Sequence, residues 1–205
     1  MSTGIIILAA GESSRMGEPK QLLPYRGTTL LHHAVATALS LEGAPVVVVL
    51  GAHATQIRAQ LDDPRVLIAE NPGWHEGMGG SLRTGLRALL DAHPEISAVI
   101  FLLCDQPLLT PATLENLIAT HGHTGSAIVA SEYNGTLGVP ALFTRIFFPD
   151  LLALDGADGA RQIIWTHRAH AIGVPFSEGA TDIDTPADYA RLHDFPSEHS
   201  TLIPV

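Results

Sequence analysis

Of the chain's 205 residues, 46% are hydrophobic and 16% charged, spread along its length, which excludes disordered and fibrous classes and predicts one compact domain. The formal net charge of −10 excludes a broad nucleic-acid-binding face, because an acidic surface repels a polyanion, so a small anionic ligand must meet a local positive cluster. A single cysteine, Cys104, excludes an internal disulfide and a thiolate metal cage and predicts a reducing compartment.

The opening MSTG carries no basic segment, and the apolar run at residues 5–10 is too short for a signal core or a membrane span. A cytoplasmic protein with no membrane partner is expected. One domain over residues 1–195 is expected, with residues 196–205 as a tail that has no usable periodicity and is left open between an edge strand and a packing arm.

Short β-branched or apolar runs alternate with helix-period stretches, the pattern of an α/β fold with a mainly parallel sheet and crossover helices. Strands are predicted at residues 4–10, 45–50, 66–69, 98–103, 127–131 and 169–174. Runs such as VVVVL and AVIFLL are apolar on both faces, as strands covered by helices on both sides are. Leu30, Leu31, Ala34, Val35, Ala38 and Leu39 recur at helical spacing, as do Leu82, Leu86, Leu89 and Leu90. Thr110-Pro111 and Thr185-Pro186 each place a capping hydroxyl before a proline suited to a first helical turn. Helices are also predicted near residues 145–154 and 159–167.

The first strand runs into GESSRMGEPK at residues 11–20, with Gly11, Gly17, two serines and the cations Arg15 and Lys20. Such a loop either cradles an anion, its amides approaching phosphate while the cations neutralise charge, or is an ordinary strand-to-helix connection. It lacks both the P-loop and the dinucleotide GxGxxG spacing. The loop is polar and Lys20 is expected to be exposed. Lys20 is also the only lysine among eleven cations, so the position either requires a compact ammonium or holds lysine by chance. At residues 101–109, FLLCDQPLL ends an apolar strand in Asp105, which either meets a metal or polar substrate group or simply turns the chain. TDIDTP places Asp182 and Asp184 before a capped helix, a position that local capping also favours. None of the eleven histidines forms HExxH or Cys/His zinc spacing, and His75 is the one of interest.

LAAGESSRMGEPKQLLP at residues 8–24 resembles the opening signature LAAGxSxRMGxxKxLLP of the MobA-like nucleotidyltransferases, and its LAAG form resembles the molybdenum cofactor cytidylyltransferase branch. NPGWHEGMGGSLRTGL, CDQP, GVPALF, DGADGAR and DIDTPADY follow in the family's order. The resemblance implies a three-layer Rossmann-like nucleotidyltransferase fold and transfer of CMP from CTP to the phosphate of molybdopterin, with release of pyrophosphate. It implies nucleotide contacts from Leu8, Ala9, Ala10, Gly11, Arg15, Lys20, Gly77, Met78, Ser81 and Asp105, with Lys20, Arg15 and Asp105 catalytic. Asp105 and Asp184 match the positions that hold Mg2+. Gln106, Gly138, Pro140, Asp158, Gly159, Ala160 and Arg161 resemble the acceptor side. A molybdenum hydroxylase or its maturation factor is the implied protein partner. Val139 stands where many relatives carry histidine and Cys104 where many carry glycine, which leaves a sugar or polyol phosphate open as acceptor. A non-catalytic cofactor-binding maturation module is the alternative of a different class.

Overall fold

The structure, a computed structural model, describes residues 2–192; the expected tail at 196–205 lies outside the described residues. In chain order the elements are β1 (Thr3–Ala9), β2 (Pro24–Tyr25), β3 (Thr28–Thr29), α1 (Leu30–Leu39), β4 (Val46–Leu50), α2 (Ala54–Arg58), β5 (Val66–Glu70), α3 (Met78–Ala92), β6 (Ala98–Leu103), α4 (Pro111–Thr124), β7 (Ile128–Tyr133), β8 (Thr136–Thr144), α5 (Phe148–Ala153), α6 (Ala160–Thr166), β9 (Ala171–Pro175) and α7 (Pro186–Leu192). Seven strands form one sheet in the order β5-β4-β1-β6-β8-β7-β9, and β2-β3 is a separate hairpin. All neighbours pair in parallel except β8, which is antiparallel to both β6 and β7.

Alternation of side chains along β1 explains the three layers. Ile6 and Leu8 face a cluster built with Leu82, Leu86 and Leu89 of α3, Leu151 of α5 and Ile163 of α6. Ile5 and Ile7 face the opposite cluster with Leu31 and Val35 of α1, Ile57 of α2, and Leu114 and Leu117 of α4. Because β1, β4, β5 and β6 run in parallel, their carboxyl ends share one edge, where an open α/β sheet places its ligands. Among the described residues no helix is long and apolar enough to cross a membrane.

The expected strands and helices are all present with shifts of a few residues, and the structure adds α2, the two strands of the β2-β3 hairpin and β8. Gly138 and Pro140 make the β8 segment read as a loop, since proline removes a ladder donor. The structure accommodates them in a bulge. Pairing passes from Ser131 opposite Gly138 to Ala130 opposite Ala141, which leaves Val139 and Pro140 as extra residues joined by a cis peptide bond. Their carbonyls are met by side chains: Ser131 Oγ donates to Pro140 O at 2.8 Å, while Tyr133 Oη and Gln106 Nε2 each donate to Val139 O at 3.2 Å. Asn134 and Gly135, both at positive φ, close the β7-β8 hairpin as an Asn-Gly turn does.

Helix α3 lies close against the sheet because Gly85 has no side chain: a Cβ there would sit 2.6 Å from Ile6 Cγ2 and 2.7 Å from Val49 Cγ2. Gly122 of α4 faces open space. Gly85→Ala is therefore expected to lose about 1–2 kcal/mol, overpacking outweighing the gain in helix propensity. Gly122→Ala should gain about 0.5–1 kcal/mol. Urea unfolding midpoints of the two variants will show whether the signs are opposite.

Candidate nucleotide and metal site

Beyond β1 the chain leaves the sheet and returns at a single 3-10 turn, Lys20–Leu22. Ser13 makes the reversal, at a left-handed φ of 61°, with its carbonyl accepting the amides of Met16 at 2.9 Å and Gly17 at 3.1 Å. The loop walls a cavity of about 340 Å³ between the ends of β1 and β6 and the start of α3. Of the positions expected to meet the nucleotide, all except Arg15 line this cavity, together with Gln21, Trp74 and His75.

At its rim Lys20 Nζ donates to Asp105 Oδ2 at 2.5 Å and to Asp184 Oδ1 at 2.9 Å. Arg15 Nη2 holds the other Asp184 oxygen at 2.8 Å. Arg15 thus stands outside the cavity lining, paired with Asp184. The expected exposure of Lys20 is corrected here: its side chain is only 14% exposed and that of Asp105 only 13%. An ammonium that loses water needs oxygen partners, and both carboxylates come from distant segments that local sequence does not reveal. Burial alone would lower the Lys20 pKa, but the Asp105 charge and the bonds to Asp105 and Asp184 outweigh it and hold the ammonium well above its usual range. For Asp184 burial acts upward, yet the Lys20 and Arg15 contacts win and keep its carboxyl below the usual value.

Asp184 is placed by the start of α7. Thr185 Oγ accepts the amide of Asp188 at 3.2 Å, while Asp188 Oδ2 accepts the Thr185 amide at 2.8 Å, a reciprocal cap. The Ile183 amide donates to the Asp105 carbonyl at 3.0 Å and joins the two acidic segments. Asp182, also here, is exposed by area yet partly surrounded by protein atoms. That burial, followed by the charges of Asp105 and Asp184, pushes its carboxyl up to about 6.

The opposite wall is the start of α3. Gly77 adopts φ 125°, and a Cβ there would lie 2.2 Å from the Gly156 carbonyl, so residues 155–158 pack directly on the helix start. Asn71, absent from the sequence expectations, is buried: Asn71 Nδ2 donates to Ser81 Oγ at 3.0 Å, and Asn71 Oδ1 accepts the Gly73 amide at 3.1 Å. Its signal was only its place at the head of NPGWHEG.

The residues expected on the acceptor side are not gathered on one surface. Asp158, Gly159 and Arg161 line a separate depression of about 590 Å³ between α6 and the β7-β8 hairpin. Ala160 is buried in the core. Gln106 is 2% exposed, its Nε2 held by the carbonyls of Val139 and Gly179. Pro140 is buried in the bulge, and Gly138 lies under Tyr133, whose hydroxyl would be 2.2 Å from a Cβ at that position.

The MobA-like NTP transferase domain family matches residues 5–171. The nicotine blue oxidoreductase of Paenarthrobacter nicotinovorans is 40% identical over 131 residues, 62% of this chain and 61% of that protein. The bifunctional protein GlmU of Streptomyces coelicolor is 33% identical over 173 residues, 80% of this chain but only 33% of that protein. The chain thus spans from a third to about three fifths of these curated relatives. The crystal structure of Rv0371c from Mycobacterium tuberculosis H37Rv superposes with a TM-score of 0.81 at 31% identity, covering 95% of this chain and 99% of that one. The same protein in complex with manganese gives 0.75 at 30% identity, covering 96% and 100%.

Cys104 lies in the cavity wall but is 4% exposed. Burial, then the neighbouring Asp105 charge, pushes its thiol up to about 12, so it stays protonated and behaves as a small apolar residue. A disulfide reagent at pH 8 is expected to leave the folded protein unlabelled and to modify one thiol per chain in denaturant. Rapid labelling of the native protein would contradict this assignment.

Proposed function

Since the chain belongs to the MobA-like NTP transferase family, we propose that it transfers CMP from CTP to the terminal phosphate of a molybdopterin-type acceptor and releases pyrophosphate. The observation that carries the reading is the convergence of Lys20, Asp105 and Asp184 at the rim of a cavity walled by the opening loop.

The residues fit a divalent ion. Asp105 Oδ1 is buried without a hydrogen-bond partner among the described residues, and one ammonium already reaches both carboxylates. Among the described residues no group of three or more His, Cys, Asp or Glu side chains could hold a metal. A two-carboxylate site suits Mg2+, which draws much of its shell from water and substrate phosphates. Asp105 and Asp184 would hold it, and when bound it neutralises charge on the phosphate oxygens.

The chain's own residues do the rest. The amides around Gly11 cradle the triphosphate. Lys20, held protonated, and Arg15 stabilise charge on the departing pyrophosphate. An acceptor phosphate oxygen forms a bond to the α-phosphorus as the bond to the β-phosphate oxygen breaks, and positioning and charge supply the catalysis. Ala10 lines the cavity, and alanine at this position would leave less room for a purine than for a pyrimidine. Asp158, Gly159 and Arg161 would face the acceptor, and a molybdenum hydroxylase or its maturation factor would receive the product.

A panel of triphosphates against molybdopterin and sugar phosphates, read by pyrophosphate release, tests the reading. Turnover should need acceptor, triphosphate and magnesium together, with CTP favoured over GTP. Equal or better use of GTP removes the base assignment, and turnover only with a sugar phosphate moves the acceptor. Absence of pyrophosphate with every pair leaves a maturation module, or chemistry of the kind the oxidoreductase relative is named for.

Lys20→Met should reduce turnover on the order of 100-fold or more and, because it strands buried carboxylate charge, lower stability by about 3 kcal/mol. Adding Asp105→Asn should recover part of the stability and none of the turnover. Lys20→Arg should also fail, as a planar fork does not replace a compact ammonium between two carboxylates. Full activity in Lys20→Arg would contradict the role assigned to that ammonium.

A further inference from the structure

We propose that Gln21, together with Ser13, is a positioning residue that turns the carbonyl groups of the opening loop away from the phosphate site and so makes the loop an anion cradle. This rests on the nucleotidyltransferase reading. Gln21 is fully buried, at 0% exposure. Its Nε2 donates to the Ala9 carbonyl at 2.9 Å and to the Gly11 carbonyl at 3.0 Å. The carbonyl between them, that of Ala10, accepts the Ala52 amide at 3.0 Å. All three successive carbonyl oxygens at the exit of β1 are therefore engaged by protein donors. No protein acceptor among the described residues takes the amides of Gly11, Glu12 or Ser13. A carbonyl oxygen facing a phosphate repels it, and a free amide attracts it. Engaging the first kind of group and sparing the second is what an anion site requires.

The side-chain chemistry is specific. Only an amide offers two N–H donors on one nitrogen with an acceptor beside it and no charge to desolvate. The acceptor is used as well: Ser13 Oγ donates to Gln21 Oε1 in a longer 3.4 Å contact and accepts the Lys20 amide at 3.1 Å. Ser13 carries the left-handed φ of the turn, a conformation uncommon outside glycine and asparagine that persists when surrounding bonds over-determine it. Those bonds are the two to its carbonyl and the two to its hydroxyl. The staple thus sets the direction of the loop amides and the point from which Lys20 reaches the carboxylates. Glutamate at position 21 would offer carboxylate oxygens to two carbonyls, and methionine would fill the space with no donor.

The test is calorimetric titration of the full chain with inorganic tripolyphosphate and magnesium, which needs neither base nor acceptor. Gln21→Met and Ser13→Ala are each expected to weaken tripolyphosphate at least tenfold. Leu117→Ala, in the remote core beneath α4, is expected to destabilise the fold comparably yet hold the affinity within about twofold. Circular dichroism decides which variants are folded, and if Gln21→Met is not, Ser13→Ala reports on the same staple. Unchanged affinity in a folded staple variant, or equal weakening by Leu117→Ala, overturns the proposal while leaving the enzymatic reading intact. Failure of the unaltered protein to bind tripolyphosphate overturns both.

Discussion

The site depends on one ammonium group held between two carboxylates. Lys20 comes from the loop after β1, Asp105 from the end of β6 and Asp184 from the approach to α7, separations of 85 and 164 residues from the lysine. Charges with this little exposure are unfavourable singly and become tolerable only as a matched set. The set can form because β1 and β6 are neighbours in parallel register, Leu8 beside Leu103, so their carboxyl ends deliver Lys20 and Asp105 to one level. The bond from the Ile183 amide to the Asp105 carbonyl brings the third member. Sheet order, register and the α7 cap are thus all conditions for one contact.

That dependence separates what could be read in the sequence from what could not. Parallel strands announce themselves by runs such as VVVVL, apolar on both faces, and Thr110-Pro111 marks a helix start that the structure places at the same residue, with Thr110 accepting the Thr113 amide. Each such signal is local. The β8 strand was hidden because glycine and proline penalise a regular ladder, and only the bulge with its side-chain donors offsets the penalty. Burial of Lys20 was hidden because its partners lie far along the chain. Gln21 has no local signature at all, since its two acceptors are carbonyls that become neighbours only when the loop folds back.

The cavity and the separate depression between α6 and the β7-β8 hairpin are joined through α3. The Gly79 amide donates to the Gly156 carbonyl at 3.1 Å, and Arg83 donates to the Leu154 carbonyl at 2.5 Å and to Asp155 at 3.2 Å. Residues 154–156 are therefore fastened to the first turns of α3, whose opening residues Met78 and Ser81 line the cavity. The depression lined by Asp158 and Arg161 begins a few residues further on. A movement of α3 on filling of the cavity would be passed to that depression through packed backbone, the kind of contact in which a shift cannot be absorbed by side-chain rotation.

Charge decides which form of substrate such a site can take. Lys20 and Arg15 contribute two positive charges, and Asp105 and Asp184 contribute two negative ones already paired with them. Asp182 adds a further carboxyl crowded enough to be pushed up to about 6. The cluster as it stands is near neutral or slightly acidic, in a chain whose net charge is −10, and long-range attraction of a polyanion is therefore weak. Neutral backbone amides bind phosphate oxygens at short range without drawing them from a distance. Under the proposed function, the species that matches this balance is a triphosphate with a divalent cation that Asp105 and Asp184 would hold, which would leave the Lys20 ammonium to phosphate oxygens. On the proposed reading, nucleotide and metal enter as one ligand, and the acidic surface discourages longer nucleic-acid polyanions from competing for the same amides.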